Sequence, residues 1–361
     1  MALLENNYIN KKFTRLLLKW NLEKNNREMP WKNESDPYKI WLSEIILQQT
    51  RVEQGLGYYL RFIQTFPTIH HLARAKDEKI FKLWEGLGYY NRCRNLITTG
   101  RYISKKKNGK FPESFAELKT LKGIGPYTAA AIASFAYNLP HAVVDGNVLR
   151  VLSRISGISQ PIDSARGKKI FNDLADRILD KKQPGIYNQS IMDFGAMVCK
   201  PLSPLCKTCP CKKICYAFNH DLVTQLPVKE KKAVIKNRWF YYLILENKND
   251  VVLRQRTRKD IWKELFEFPV IESAKEENIR TILLQAEKKE WIRMNGYSVT
   301  ETSKVYKQKL THQLIYATFT QIRLKQPLKC TAGLLRVRKN KLTKYAFPKI
   351  VNSYLNKMKI F

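Results

Sequence analysis

The chain has 361 residues, 44% of them hydrophobic, which is enough for two globular domains with a core each. Lys and Arg total 65 against 31 Asp and Glu, and the formal charge of +34 exceeds what solubility needs and suits a polyphosphate partner, nucleic acid first. An AT-rich genome would enrich Lys, Asn and Ile but would not remove acidic residues. The N-terminus lacks a secretory apolar core, and no later run approaches the roughly 20 apolar residues of a membrane span, so a soluble, intracellular chain is expected.

From residue 11 to about 220, apolar residues recur at three and four spacings with Gly or Pro between segments, which predicts an all-α part. Asp36-Pro37 supplies an N-cap and first-turn proline for the helix that carries WLSEIILQQTRVEQ, residues 41 to 54. Ile40, Trp41 and Leu47 share a side with Glu44, so this carboxylate belongs on the apolar face, where burial raises its pKa. A glutamate so placed serves either as a proton donor or as the partner of a buried Arg or amide. LWEGLGYYNRCRNL (83 to 96) follows, its Tyr89 and Tyr90 being either DNA contacts or core aromatics. Phe111-Pro112-Glu113-Ser114 opens another helix. In LKTLKGIGPYTAAAIASFAY (118 to 137), Gly123 and Gly125 separate two helical segments, with Pro126 opening the second. The two glycines permit a tight turn that offers N–H groups, beside Lys122, to a phosphate oxygen; an αα-hairpin that simply needs glycine has the same pattern. VVDGNVLRVLSR then supplies Asp145, as a catalytic carboxylate or a helix N-cap.

CKPLSPLCKTCPCKKIC, residues 199 to 215, holds five of the seven cysteines. In a reducing compartment these are ligands rather than disulfides, and four thiolates suit either zinc or an iron–sulfur cluster. Residues 226 to 238, charged and opened by proline, read as a linker, after which the period becomes alternating. FYYLILE (240 to 246) and VVLRQR (251 to 256) form a hairpin around residues 247 to 250, QLIYATFTQIRL (313 to 324) a long strand, and residues 274 to 289 and 347 to 358 helices. The C-terminal part is therefore α+β.

Taken together, PWKNESDPYKIWLSEIILQQTRV, LWEGLGYYNRCRNL, the hairpin, Asp145-Gly146-Asn147 and the cysteine knot resemble the MutY-type adenine DNA glycosylases of the helix-hairpin-helix superfamily. The resemblance is continuous over about the first 220 residues and looser beyond. It implies an all-α helix-hairpin-helix glycosylase domain over residues 1 to 225 with an iron–sulfur cluster loop, the linker, and an α+β Nudix-like domain over 239 to 361. It makes Glu44 the acid that protonates adenine and Asp145 the stabiliser of the sugar cation, with Tyr127 and Asn147 in support. Gln49 and Tyr89 are assigned to the gap in the base stack. Cys199-x6-Cys206-x2-Cys209-x5-Cys215 matches the family's 4Fe–4S pattern and leaves Cys211 over, while Lys200 begins a loop that meets the phosphate backbone.

The lyase branch of the superfamily forms a Schiff base through a lysine where this chain has Tyr127, so a monofunctional glycosylase is implied. RQRTRKDIWKELFEFP (254 to 269) resembles the family's 8-oxoguanine-recognising domain, without the clustered glutamates of a Nudix hydrolase. The F-S-H loop of the family is Leu310-Thr311-His312 here, which keeps a hydroxyl and the histidine and loses the aromatic; Lys32 stands where Arg is usual. The implied substrate is duplex DNA with adenine opposite 8-oxoguanine or guanine, bound by a monomer without any membrane. Two rivals are a thymine-glycol glycosylase/lyase, opposed by Tyr127, and a non-catalytic DNA binder with a zinc knuckle, which would need neither Glu44 nor Asp145.

Overall fold

The computed structural model describes residues 7–230, 235–326 and 333–358. Contacts divide the chain into two units, one of residues 1–74 with 94–231 and one of residues 75–93 with 232–361. Residues 231–234 of the expected linker lie outside the described residues.

The first unit is helical, and its helices start where local chemistry tells them to. Asp36 caps Pro37–Leu47 by accepting the Tyr38 N–H, and Ser114 caps Phe115–Thr120 through the Glu117 N–H. Asp145 caps Gly146–Ser156 through the Val148 N–H, and that helix stops at Gly157, left-handed at φ 68°. Pro37–Leu47 is buried nearly all round, with Trp41, Leu42, Ile45 and Ile46 all inaccessible or nearly so. Phe115–Thr120 and Pro126–Tyr137 form the two arms of the hairpin. At its turn, Gly123 has φ 82°, and a Cβ there would stand 2.6 Å from that of Asn95, so glycine is required twice over.

A second core joins Gly146–Ser156 to Pro184–Met197 and to Asn7–Lys24 through Val151, Leu152, Phe171, Phe194 and Phe13. Gly195 permits a close approach between two of these helices, since a Cβ there would lie 2.7 Å from that of Asn147. The helix bearing Asp145 and Asn147 is thereby seated against its neighbour.

Among the described residues, the second unit holds an eight-stranded mixed sheet made of β1 (Lys236–Asn247), β2 (Asp250–Gln255), β3 (Phe266–Glu267), β4 (Val270–Ser273), β5 (Tyr297–Thr302), β6 (Tyr306–Lys309), β7 (Gln313–Leu324) and β8 (Leu334–Arg338). Its central path runs β3-β2-β1-β7-β5, with β1 and β7 parallel. The expected hairpin is β1–β2, closed by the pair Asn247 and Asp250 with Lys248 left-handed at φ 51°. β1 starts at Lys236, inside the stretch read as a linker, because its Lys236 N–H is taken up by the His312 carbonyl at 2.9 Å. Tyr241, Leu243 and Leu245 face the helix Ile279–Lys288, which is shorter than the expected 274 to 289 because Asn278 caps it. On the other face Tyr242, Phe319 and Tyr354 stack in series at 4.9 and 4.2 Å, the last from the helix Lys349–Lys357. No described helix is long and apolar enough to cross a membrane.

Candidate active site

A cavity of about 560 Å³ opens in the first unit, with Glu44, Tyr127, Asp145 and Asn147 all in its wall. Glu44 comes from Pro37–Leu47, Tyr127 from the first turn of Pro126–Tyr137, and the other two from the start of Gly146–Ser156. Three elements thus bring together the four residues that the sequence singled out. Gln49, just past the first of these helices, also lines the cavity, exposed and left-handed at φ 55°.

Glu44 is only 7% exposed. Burial pushes its carboxyl up to about 7, the Tyr127 hydroxyl bonded to it pulls the other way, and the Asp145 charge adds to the rise. A proton is therefore available on Glu44 near neutrality. Asp145 is also raised by burial, but Val148 N–H at 2.8 Å on Oδ1 and Asn147 Nδ2 at 2.7 Å on Oδ2 favour its anion. Two carboxyls in one cavity are thus held differently, Glu44 by the Tyr127 hydroxyl and Asp145 by a backbone and a side-chain N–H. The bond that caps the helix also fixes the Asp145 carboxylate in the cavity wall, so the cap does not exclude a further role for it.

Behind Asn147 stands Arg150, which the sequence reading passed over. Its guanidinium donates to Asn147 Oδ1 at 2.9 Å, to the Gly195 carbonyl at 2.7 Å and to the Cys199 carbonyl at 2.7 Å. One turn on, Arg154 donates to the carbonyls of Lys200, Pro201 and Leu226 and reaches Cys199 Sγ at 3.5 Å. The signal was present: two arginines four apart on a helix whose other side is apolar. Asp193 was missed as well. Fully buried, it pairs with Arg27 at 2.8 Å and Lys32 at 3.2 Å, so the lysine that stands where Arg is usual keeps an ion pair.

Cys199, Cys206, Cys209 and Cys215 wall one small cavity together with Arg154, whereas Cys211 is buried in the neighbouring core. Four thiols thus line a common space, and the Cys211 thiol is hydrogen-bonded to that of Cys209 at its edge. No group of three or more His, Cys, Asp or Glu among the described residues is arranged around a single metal ion. Lys200 is exposed at the loop's start, and Lys122, Gly123 and Gly125 are exposed at the hairpin turn.

In the second unit, Tyr89 is 47% exposed and left-handed at φ 49°, while Tyr90 is buried and belongs to the core. Thr311 and His312 are exposed at the β6–β7 turn. The hydroxyls of Tyr89 and Thr311 lie 2.7 Å apart.

Residues 42–176 match the sequence profile of the HhH-GPD superfamily base excision DNA repair proteins, and residues 240–357 match the NUDIX domain. The adenine DNA glycosylase of Buchnera aphidicola subsp. Baizongia pistaciae is 35% identical over 307 residues, 84% of this chain and 84% of that one. The adenine DNA glycosylase of Homo sapiens is 39% identical over 210 residues, 56% of this chain and 38% of that one. Among solved structures, a thermostable thymine-DNA glycosylase superposes with TM-score 0.55 at 27% identity, over 59% of this chain and 98% of that one.

Proposed function

The chain belongs to the adenine DNA glycosylase family of base excision repair, and on that premise we propose that it is a monofunctional glycosylase that removes adenine opposite 8-oxoguanine or guanine in duplex DNA. The observation that carries this reading is the shared cavity in which Glu44, its carboxyl pushed up to about 7 by burial, faces Tyr127 and the Asp145 carboxyl held by Val148 and Asn147.

The adenine nucleotide must leave the stack to reach the cavity, at a cost of a few kcal/mol that is smaller at a mispair. Gln49 and Tyr89, both exposed with left-handed backbones, suit the space left behind. Glu44 gives its proton to N7, so that the pair of electrons in the breaking C1′–N9 bond passes to a neutral leaving base; a placed acid of this kind contributes roughly 10² to 10⁴ in rate. Positive charge that develops on the sugar meets the Asp145 carboxylate, whose position Asn147 and Arg150 maintain. Water adds to C1′ and loses a proton, leaving an abasic site. With a phenol at position 127, no imine to the sugar forms by the route that a lysine there would take, so the strand is left uncut.

Cys199, Cys206, Cys209 and Cys215 would hold a 4Fe–4S cluster, whose part is to tie the loop from Lys200 to Leu205 in place. That loop, with the hairpin turn at Lys122 to Gly125, supplies backbone N–H groups and lysines for phosphate contact. Thr311, with His312 beside it, reads the base opposite adenine, and the Nudix-like domain recognises the lesion without hydrolysing a nucleotide. The domain limits we propose are 1–225, with a linker at 226–238, and 239–361.

Duplexes with adenine opposite 8-oxoguanine, adenine opposite guanine, or thymine glycol opposite adenine separate the readings. Alkali-labile sites on the first two, without strand scission before alkali, are expected. Scission without alkali, or base loss from the third duplex alone, would refute the proposal.

A further inference from the structure

Residues 75–93 lie between helices of the first unit in sequence, yet their contacts make them part of the second. The joint has two points. At one, Lys82 Nζ donates to the Tyr345 carbonyl at 2.9 Å and the Phe347 N–H donates to Glu85 Oε1 at 2.7 Å. Lys82 and Glu85 pair with each other at 2.6 Å, so both charges of the joint are matched. At the other point, the hydroxyls of Tyr89 and Thr311 meet at 2.7 Å.

The chain between these points is stiff. Trp84 Nε1 donates to the Gly88 carbonyl at 2.9 Å, and the Gly86 N–H reaches the Tyr90 hydroxyl at 3.3 Å. The Arg92 guanidinium lies 5.3 Å from the Trp84 ring and 5.2 Å from the Tyr89 ring. In a loop knitted this way, whatever holds Glu85 also holds Tyr89. Hydrogen bonds fail over a fraction of an ångström beyond their optimum, so a small shift of the loop would part Tyr89 from Thr311.

We infer that Glu85, with Lys82, is a positioning residue that fastens the Tyr89 loop to residues 345–347 and so makes the gap-filling ring and the lesion-reading hydroxyl one element. The inference rests on the reading of Thr311 proposed above. Its functional consequence is selectivity for the base opposite adenine, with the release chemistry left alone.

Two substitutions in the full chain divide the roles of Glu85. Glu85→Ala removes both the ion pair and the acceptor for Phe347, whereas Glu85→Gln loses the charge and keeps an acceptor oxygen. Hydrogen exchange at the Phe347 amide, without DNA, is expected to quicken in Glu85→Ala and to stay slow in Glu85→Gln. Under single-turnover conditions, the ratio of adenine release opposite 8-oxoguanine to release opposite guanine should fall roughly tenfold in Glu85→Ala, about the worth of one hydrogen bond. Glu85→Gln should restore most of it, with release opposite guanine within about twofold of wild type throughout.

Unchanged Phe347 exchange in Glu85→Ala, an unchanged ratio, or equal loss on both duplexes would each overturn the positioning role. Thr311→Ala measured in parallel separates the two failures. If it lowers the ratio while Glu85→Ala does not, the positioning role falls alone; if it leaves the ratio unchanged, the lesion-reading role falls and takes the positioning role with it.

Discussion

Glu44 is the residue on which burial and chemistry coincide: desolvation and the neighbouring Asp145 charge hold it at about 7, against the Tyr127 hydrogen bond. On the mechanism proposed above, the form that works is the protonated one. Single-turnover adenine release should therefore be full below pH 7, half-maximal near it, and fall about tenfold per unit above it, as measured on substrate-saturated enzyme. Glu44→Gln, which has no comparable proton to give, should bind mispaired duplex and release adenine roughly 10² to 10⁴ more slowly at pH 6. The same shift affects stability. A carboxyl whose folded pKa lies above its ordinary 4.5 favours the fold below that value, and the favour is lost as pH rises through about 7. Glu44→Gln is thus expected to be more stable than wild type at pH 8, by up to about 3 kcal/mol, and equal to it near pH 4.5 in denaturant titrations. Equal stability at both pH values would mean that Glu44 is not buried as described. Glu44 was legible in the sequence because its apolar neighbours lie three and four positions away on the same helix. Arg27 and Asp193 were not, since that ion pair joins positions 166 apart and leaves no local pattern.

Helix Gly146–Ser156 links the parts of the site, since its first turn carries Asp145 and Asn147 and its later turns carry the arginines that hold the cysteine loop. Its start was legible from the Asp-Gly-Asn sequence, and its end from Gly157. Its contact with Pro184–Met197 was not, because it depends on one missing Cβ at Gly195. Gly195→Ala should force Asn147 aside, slow adenine release, and cost about 1 to 3 kcal/mol as an overpacked contact. Release at the wild-type rate would show that Asn147 does not position Asp145. The cysteine loop offers a cleaner contrast. Cys211 is fully buried among core residues and absent from the wall shared by the other four, so with the proposed cluster in place Cys211→Ala should bind iron and show the cluster's brown colour as wild type does. Cys215→Ala should lose both. The spacing alone left the choice among five thiols open, and the full burial of Cys211 in the core is what favours the other four as ligands.

For the whole molecule, the alternation of residues marked out a helical part followed by an α+β part, and the sheet and helices follow that division. What periodicity could not show is that residues 75–93 pack with residues more than two hundred positions later, through Lys82, Glu85 and Tyr89. The charge of +34 is spread over both units and raises a question for the molecule as a whole, namely whether it serves DNA or only reflects genomic composition. The two causes differ in their salt dependence. Lysines that neutralise phosphates release condensed counterions, so with about 6 to 10 such contacts the affinity for an undamaged duplex should drop roughly 10³ to 10⁵ between about 50 and 200 mM salt. Release chemistry should not follow, because Glu44 and Asp145, the carboxyls proposed to carry it, are both desolvated by burial and salt screens such groups weakly. Binding isotherms and single-turnover rates at saturating enzyme, taken over one salt series, read the two separately. A steep affinity slope beside a flat rate is the expected outcome. A shallow affinity slope would assign the excess lysine to composition, and a rate that falls in parallel would place the reacting carboxylates within reach of bulk ions.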